Sequence, residues 1–240
     1  MNIEQDLALE GMLEISNQDS DTHLADNFEA ALSSMSFPNP QQDFMVFPMD
    51  KKLFNLNISM SNNSSDLFTE VFTINEASFK LFSFFKIIGN DDHSSASASS
   101  ELSEALSNIY TSTSSNYEVL FKIRATNQSK INWHKDMNDE SGLPMYNIGI
   151  ALTKPGTWFC KALETHRFRY ENTLPNAVLN PAFHKELETK CANELFYQVP
   201  DLSGVIFRSN DDFSAIHTSP PTGYRLFVLA ELTPKNTLSV

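Results

Sequence analysis

The hydrophobic positions of this chain change period along its length. From residue 1 to about 45 they recur at helical spacing in two segments. Ile3, Leu7, Met12 and Leu13 make the first; Leu24, Phe28, Ala31 and Leu32 make the second, behind the capping-type residues Asp21 and Thr22. Pro38, Asn39 and Pro40 then break the chain. From Leu53 the period becomes two, with Phe54, Leu56, Ile58 and Met60 alternating with Asn55, Asn57 and Ser59. That alternation predicts a strand, and a second is predicted over residues 67–74 after the turn at 62–65. The Phe-rich stretch 77–88 fits helix or strand equally. Residues 94–100 comprise five Ser and two Ala, which predicts a mobile loop, followed by a short helix over 101–110.

The clearest strand comes next. Tyr117, Val119, Phe121 and Ile123 face one way, and Glu118, Lys122 and Arg124 the other. Further strands are predicted over 145–152, where Gly149 and Ala151 share a side, and over 157–160 after the Pro155-Gly156 turn. Another is expected over 166–170. Asn180-Pro181 opens a helix, N-cap then proline, that runs to about Tyr197. Three short strands follow over 204–207, 213–219 and 224–232. Many short strands with helices outside predict a mainly β (α+β) fold, a double-stranded β-helix or jelly roll. It divides into an acidic helical N-terminal extension, 1–45, and a β domain, 46–240. No internal repeat is visible.

Composition changes this picture modestly. With 30 Asp and Glu against 17 Lys and Arg, the formal charge is −13, which argues against nucleic acid or an anionic membrane surface as partner. A cationic or neutral substrate, or a basic protein, suits such a surface better. The acidic first 45 residues read as helices on the outside of a sheet or as a docking arm. Two cysteines, Cys160 and Cys191, make no disulfide framework and read as reduced, buried thiols. The first residues lack a basic, apolar leader, and no run approaches the roughly 20 apolar residues of a membrane span. The expectation is a cytoplasmic protein, whose reducing surroundings suit a ferrous site.

The candidate chemistry lies in Asn132-Trp133-His134-Lys135-Asp136. In an extended chain His134 and Asp136 point to one face and can offer an imidazole and a carboxylate to one ion. His184-Lys185-Glu186 competes, but inside a predicted helix its i and i+2 residues diverge. His217, in a strand-like segment before Ser219-Pro220, would be the third ligand, brought back by the fold. Two His and one carboxylate with open positions opposite form the facial triad of non-haem Fe(II) oxygenases. Eight residues later Arg225 stands at the mouth of the apolar run Leu226-Phe227-Val228-Leu229-Ala230, suited to gripping a dicarboxylate.

The order His134-x-Asp136, His217, Arg225 resembles the Fe(II)/2-oxoglutarate-dependent dioxygenase superfamily. The runs Lys154-Pro155-Gly156-Thr157-x-Phe159 and Ile216-His217-x-Ser219-Pro220 are also similar to an uncharacterised bacterial family of small oxygenase-like proteins. The resemblance covers roughly residues 115–232. It implies Fe(II) on His134, Asp136 and His217, and a bidentate pair between Arg225 and the far carboxylate of 2-oxoglutarate. With O₂ it implies hydroxylation of a small molecule, amino acid or peptide, with release of succinate and CO₂. Asp136 itself disfavours halogenation, which needs a small residue at that position. In the superfamily a Ser two residues after the Arg often assists it; here Phe227 stands there, leaving Tyr146, Thr218 and Tyr224 as candidate second contacts. Trp133 and Trp158 read as core aromatics or as walls of a substrate pocket. Arg124, with Lys135, Arg167 and Arg169, could meet a carboxylated substrate. Two other readings stand beside this one: a cupin-type metal protein independent of 2-oxoglutarate, and a non-catalytic binding or effector protein on the same fold. Oligomeric state is not legible.

Overall fold

A computed structural model describes residues 24–36, 43–54, 68–128, 134–136, 145–153, 156–160, 196–210, 214–219 and 223–235. The expected helix over residues 3–13, the strand at 166–170, most of the helix opening at Asn180 and the residue Trp133 lie outside the described residues.

Among the described residues three α-helices precede and flank the sheets: α1 (Phe28–Ser36), α2 (Ala77–Ile87) and α3 (Asp92–Thr113). The strands are β1 (Phe44–Pro48), β2 (Phe68–Phe72), β3 (Tyr117–Gln128), β4 (Met145–Ala151), β5 (Trp158–Cys160), β6 (Phe196–Gln198), β7 (Ser203–Ser209), β8 (His217–Thr218) and β9 (Gly223–Pro234). They form two antiparallel sheets, one ordered β1-β7-β4-β9-β3-β2 and one ordered β6-β5-β8. After β3 the chain reaches His134, which bridges to His217 of β8, then β4 in the large sheet, then β5 and β6 in the small one. It returns to the large sheet at β7, to the small at β8 and to the large at β9. That repeated crossing between two facing sheets is the double-stranded β-helix, the fold expected from the strand pattern. β1 spans the 45/46 division, and Ala31 and Met35 of α1 lie in the main core.

Alternation along each strand makes two cores. One face of the large sheet carries Phe121, Ile123, Ile148, Val228 and Leu232 against Leu81, Phe84 and Phe85 of α2 and Leu102 and Leu106 of α3. The opposite face carries Phe44, Val46, Val205, Phe207 and Leu229, packed on Phe159, Tyr197 and Val199 of the small sheet and its flanks. The inner face is pinched where Gly149 lies under Phe227: a Cβ there would sit 2.8 Å from Phe227 Cζ.

Three expectations fail here. Residues 94–100 are the first turns of α3, not a loop. Asp91 caps that helix by accepting from Ser94 N at 2.7 Å, and Ser95, Ala98 and Ser99 are buried on the same side as Leu102, Leu106 and Ile109. Small side chains make a close-packing stripe that a hydrophobicity pattern does not register. Lys51–Phe54 form a 3₁₀ turn rather than the start of a strand. Phe196–Gln198 form β6, so no helix reaches Tyr197: its ring packs in the inner core, tilted against Phe44. The stretch 77–88, ambiguous in sequence, is helical through Ile87. Among the described residues no helix is long and apolar enough to cross a membrane.

Ser97 tests the α3 correction because it is exposed and makes no core contact. Ser97→Pro should cost about 3 kcal/mol in chemical denaturation, the penalty for proline inside a helix. A mobile loop would absorb it with no change in the midpoint.

Candidate metal centre

His134 and His217 face each other across an isolated antiparallel bridge. Each donates its N–H to the other's carbonyl, both at 2.9 Å. A pair that exchanges both hydrogen bonds holds its Cα atoms about 5.5 Å apart with the side chains on one side. The rings accordingly meet with centroids 4.4 Å apart. Two residues on, Asp136 returns to the same side. Its Oδ1 lies 3.6 Å from His134 Nε2 and its Oδ2 3.7 Å from His217 Nε2, and all three ligand atoms fall within 4.8 Å of one another. Two donors each roughly 2.1 Å from one ion can stand up to about 4.2 Å apart, so both nitrogen–oxygen separations suit a shared ion. Two imidazoles and a carboxylate are donors for Fe(II) and its first-row neighbours.

The surroundings hold these ligands in place. Asn147, fully buried on β4, donates Nδ2 to Asp136 Oδ2 at 2.8 Å, leaving Oδ1 for an ion. The carbonyl of Asp136 accepts from Asn210 N at 2.9 Å. Asn210 takes a positive φ of 69°, which asparagine tolerates better than most residues. His217 Nδ1 lies 3.3 Å from the Ala215 carbonyl, an arrangement that directs Nε2 toward the metal side. Its ring stacks on Phe159 at 5.4 Å and tilts against Phe207 at 4.8 Å. Side-chain exposure rises from 9 % at His217 through 22 % at Asp136 to 38 % at His134, so the centre opens on the His134 side.

Electrostatics favour the ligating forms. Burial alone would raise the Asp136 carboxyl, but the His217 and His134 imidazoles, the Asn147 amide and Arg124 outweigh it and hold it below the ordinary carboxylate range. Burial pushes the His217 imidazole down to about 4, against the pull of Asp136, so near neutrality its Nε2 lone pair is free to ligate.

Arg225 completes the constellation from β9. It is 2 % exposed, and its two terminal nitrogens donate to hydroxyls of the facing sheet region: Nη2 to Thr157 Oγ1 at 2.7 Å and Nη1 to Ser219 Oγ. The guanidinium carbon lies 5.0 Å from the centre of the Phe227 ring. Nε is buried without an acceptor, and no carboxylate among the described residues pairs with the group. Burial lowers its pKa to about 10, which still leaves it cationic at neutral pH.

The structure therefore brings together His134, Asp136, His217 and Arg225. The second contacts of Arg225 come from Thr157 and Ser219, to which the sequence reading assigned no role. Tyr146 is not among them: β4 alternation turns it to the helix side, where its hydroxyl donates to the Met35 carbonyl at 2.8 Å. Thr218, next to His217, is buried beside Trp158, and its hydroxyl donates to the Ser219 carbonyl at 3.3 Å. Trp158 is buried next to Phe159, which faces His217, so alternation turns the indole to the other side of the small sheet. The side chain of Tyr224, like Trp133, lies outside the description. Arg124 stands on the inner face of β3, in register with Phe227.

No protein-family model matches the chain, and no curated protein matches it in sequence. Solved structures share its outline at low identity. A Pseudomonas putida prolyl-4-hydroxylase is 8 % identical, with 86 % of this chain and 98 % of that one covered and a TM-score of 0.44. EvdO2 from Micromonospora carbonacea var. aurantiaca, solved with 2-oxoglutarate, is 9 % identical over 83 % and 90 % at a TM-score of 0.40. HygX from Streptomyces hygroscopicus, solved with nickel and 2-oxoglutarate, is 10 % identical over 82 % and 84 % at 0.39. The likeness is one of chain outline, and the chemistry of the site stands on the chain's own residues. The narrower similarity to a small bacterial oxygenase-like family finds no support in these comparisons.

The depressed His217 pKa fixes a pH dependence. The unfolded imidazole protonates near 6.5 and the folded one only near 4. Its contribution is therefore fully present above 6.5 and is lost as pH falls from 6.5 to 4, a loss on the order of 3 kcal/mol. Denaturation of the metal-free protein should show that decline, and His217→Phe, which keeps an aromatic ring between Phe159 and Phe207, should flatten it. Equal slopes for the two proteins would contradict the assignment.

Proposed function

We propose that this chain is an Fe(II)- and 2-oxoglutarate-dependent oxygenase that hydroxylates a small molecule, amino acid or peptide. The observation that carries this reading is Arg225: a buried cation with no carboxylate partner among the described residues, held by two hydroxyls near a three-donor metal site. Burying a charge costs several kcal/mol unless an opposite charge meets it. Neutral hydroxyls orient the guanidinium without neutralising it, so an anion is the fitting complement. Ser219, which touches Arg225, lies two residues from His217; in extended chain that step is about 7 Å, within the reach of a five-carbon diacid held at both ends.

His134, Asp136 and His217 would hold the iron, and Arg225 the far carboxylate of the co-substrate. When bound, iron, 2-oxoglutarate and O₂ supply the oxidation itself, with succinate and CO₂ as co-products. The chain's part is positional. Asn147 fixes Asp136 through one oxygen, Thr157 and Ser219 aim the guanidinium, and Phe159, Phe207 and Phe227 keep water from the floor of the site. A purely structural Arg225 would explain the two hydroxyl bonds but not the buried, unpaired charge.

Calorimetry of the Mn(II)-loaded protein tests the assignment without turnover. Arg225→Ala should weaken 2-oxoglutarate binding about 30-fold or more, the usual loss when one partner of a buried charge pair is removed. Arg225→Lys should recover part of it, and Mn(II) affinity should hold in both. Unchanged 2-oxoglutarate affinity in Arg225→Ala would refute the assignment and favour a metal protein that does without the co-substrate.

A further inference from the structure

The small sheet does not cover the whole inner face of the large one. Its described side chains pack on β1, β7 and the Phe227–Leu229 part of β9. Toward β3 and β2 the same face lies open. Val71 and Leu120 are 44 % and 38 % exposed; Arg124 is exposed as well, diagonal to Val71, with Lys122 standing between it and Leu120. Register fixes the neighbours of Arg124: Ala151, Phe227, Arg124 and Thr69 stand side by side on β4, β9, β3 and β2. Phe227 is the ring that lies under the Arg225 guanidinium and over Gly149, two residues from the Asn147 that holds Asp136. Arg124 thus borders the aromatic wall of the metal centre on its open flank.

The charges on this face are unequal in role. Lys122, one residue pair along β3, is neutralised by Glu231. Arg225 faces the co-substrate position. Arg124 forms no ion pair or hydrogen bond with any described residue, yet it stands close enough for its charge to act on Asp136. In a chain with 30 acidic and 17 basic side chains, an unpaired cation beside the centre is a local reversal of the overall charge. An anion held there would run against the expectation, drawn from net charge, of a cationic or neutral substrate.

We propose that Arg124 anchors an anionic group of the substrate, and that the substrate is a small anion with an apolar body lying against Val71. The proposal rests on the reading of the triad as a metal centre with Arg225 as co-substrate grip. It differs from the alternative of a solvated surface arginine in what a substitution does: a solvated Arg124 can be neutralised without changing the preference for an anionic probe over a cationic one.

Three probes with one apolar body and different heads, hexanoate, hexyl phosphate and hexylamine, separate the cases. Saturation-transfer NMR on the full chain reports binding whether or not the triad holds a metal. Broadening of the probe's methyl signal by Mn(II), with saturating 2-oxoglutarate present, reports closeness to the triad. Hexanoate or hexyl phosphate should bind at least tenfold more tightly than hexylamine and be broadened, with the better of the two naming the head group. With the protein kept saturated with Mn(II) and 2-oxoglutarate, Arg124→Gln should abolish that tenfold preference, and Arg124→Lys should restore part of it. Equal binding of hexylamine, anion binding unchanged in Arg124→Gln, binding without broadening in the Mn(II)-loaded protein, or no Arg124-dependent binding would each overturn the proposal. Failure of the native chain to take up Mn(II) and 2-oxoglutarate would instead refute the underlying reading, and the saturation-transfer comparison of native and Arg124→Gln would still decide the role of Arg124.

Discussion

The site depends on two hydrogen bonds. His134 and His217 exchange N–H and carbonyl groups at 2.9 Å across a bridge between segments more than eighty residues apart. Without that exchange the two imidazoles have no reason to share a side, and Asp136 has nothing to face. The bridge fixes backbone positions, and the strand period turns them into a donor set: one residue pair opposed, one carboxylate two residues on. The remainder of the sandwich keeps this short contact in register. β5 pairs with β8 through Phe159 and His217, and Phe159 packs in the inner core with Phe44 and Phe207.

Arg225 ties the two sheets at the same place. Its backbone belongs to β9, paired with Thr126 of β3, while its guanidinium reaches Thr157 and Ser219, which flank β5 and β8. His217 of the candidate metal centre and the hydroxyls that hold Arg225 thus sit on or beside the same pair of short strands. Phe227 contributes twice, as a ring under the guanidinium and as the wall beside Gly149, where no side chain would fit without a shift.

Much of this was legible in sequence because its physics is local or periodic. The i, i+2 relation of His134 and Asp136 follows from the pleat of any strand, and the alternation in β3 correctly put Phe121 and Ile123 on one side, which packs on the helices, and Arg124 on the other. What failed was of two kinds. The hydroxyl partners of Arg225 depend on a contact spanning 68 residues, between Thr157 and Arg225, which no local pattern encodes. Tyr146, by contrast, was excludable: Gly149 and Ala151 were already on one side of β4, and period two puts Asn147, not Tyr146, with them. The start of α3 was missed because its buried stripe is Ser95, Ala98 and Ser99, where close approach of helices replaces hydrophobic bulk as the packing device.

The central claim is that one centre takes a metal and 2-oxoglutarate together. Anaerobic titration of the apo-protein with Fe(II), with and without 2-oxoglutarate, followed by visible absorption, tests it most directly. The account predicts a weak charge-transfer band that appears only when both are present and is lost in Asp136→Ala and Arg225→Ala. Tight Fe(II) binding with no band on adding 2-oxoglutarate, or no Fe(II) binding at all, would contradict it.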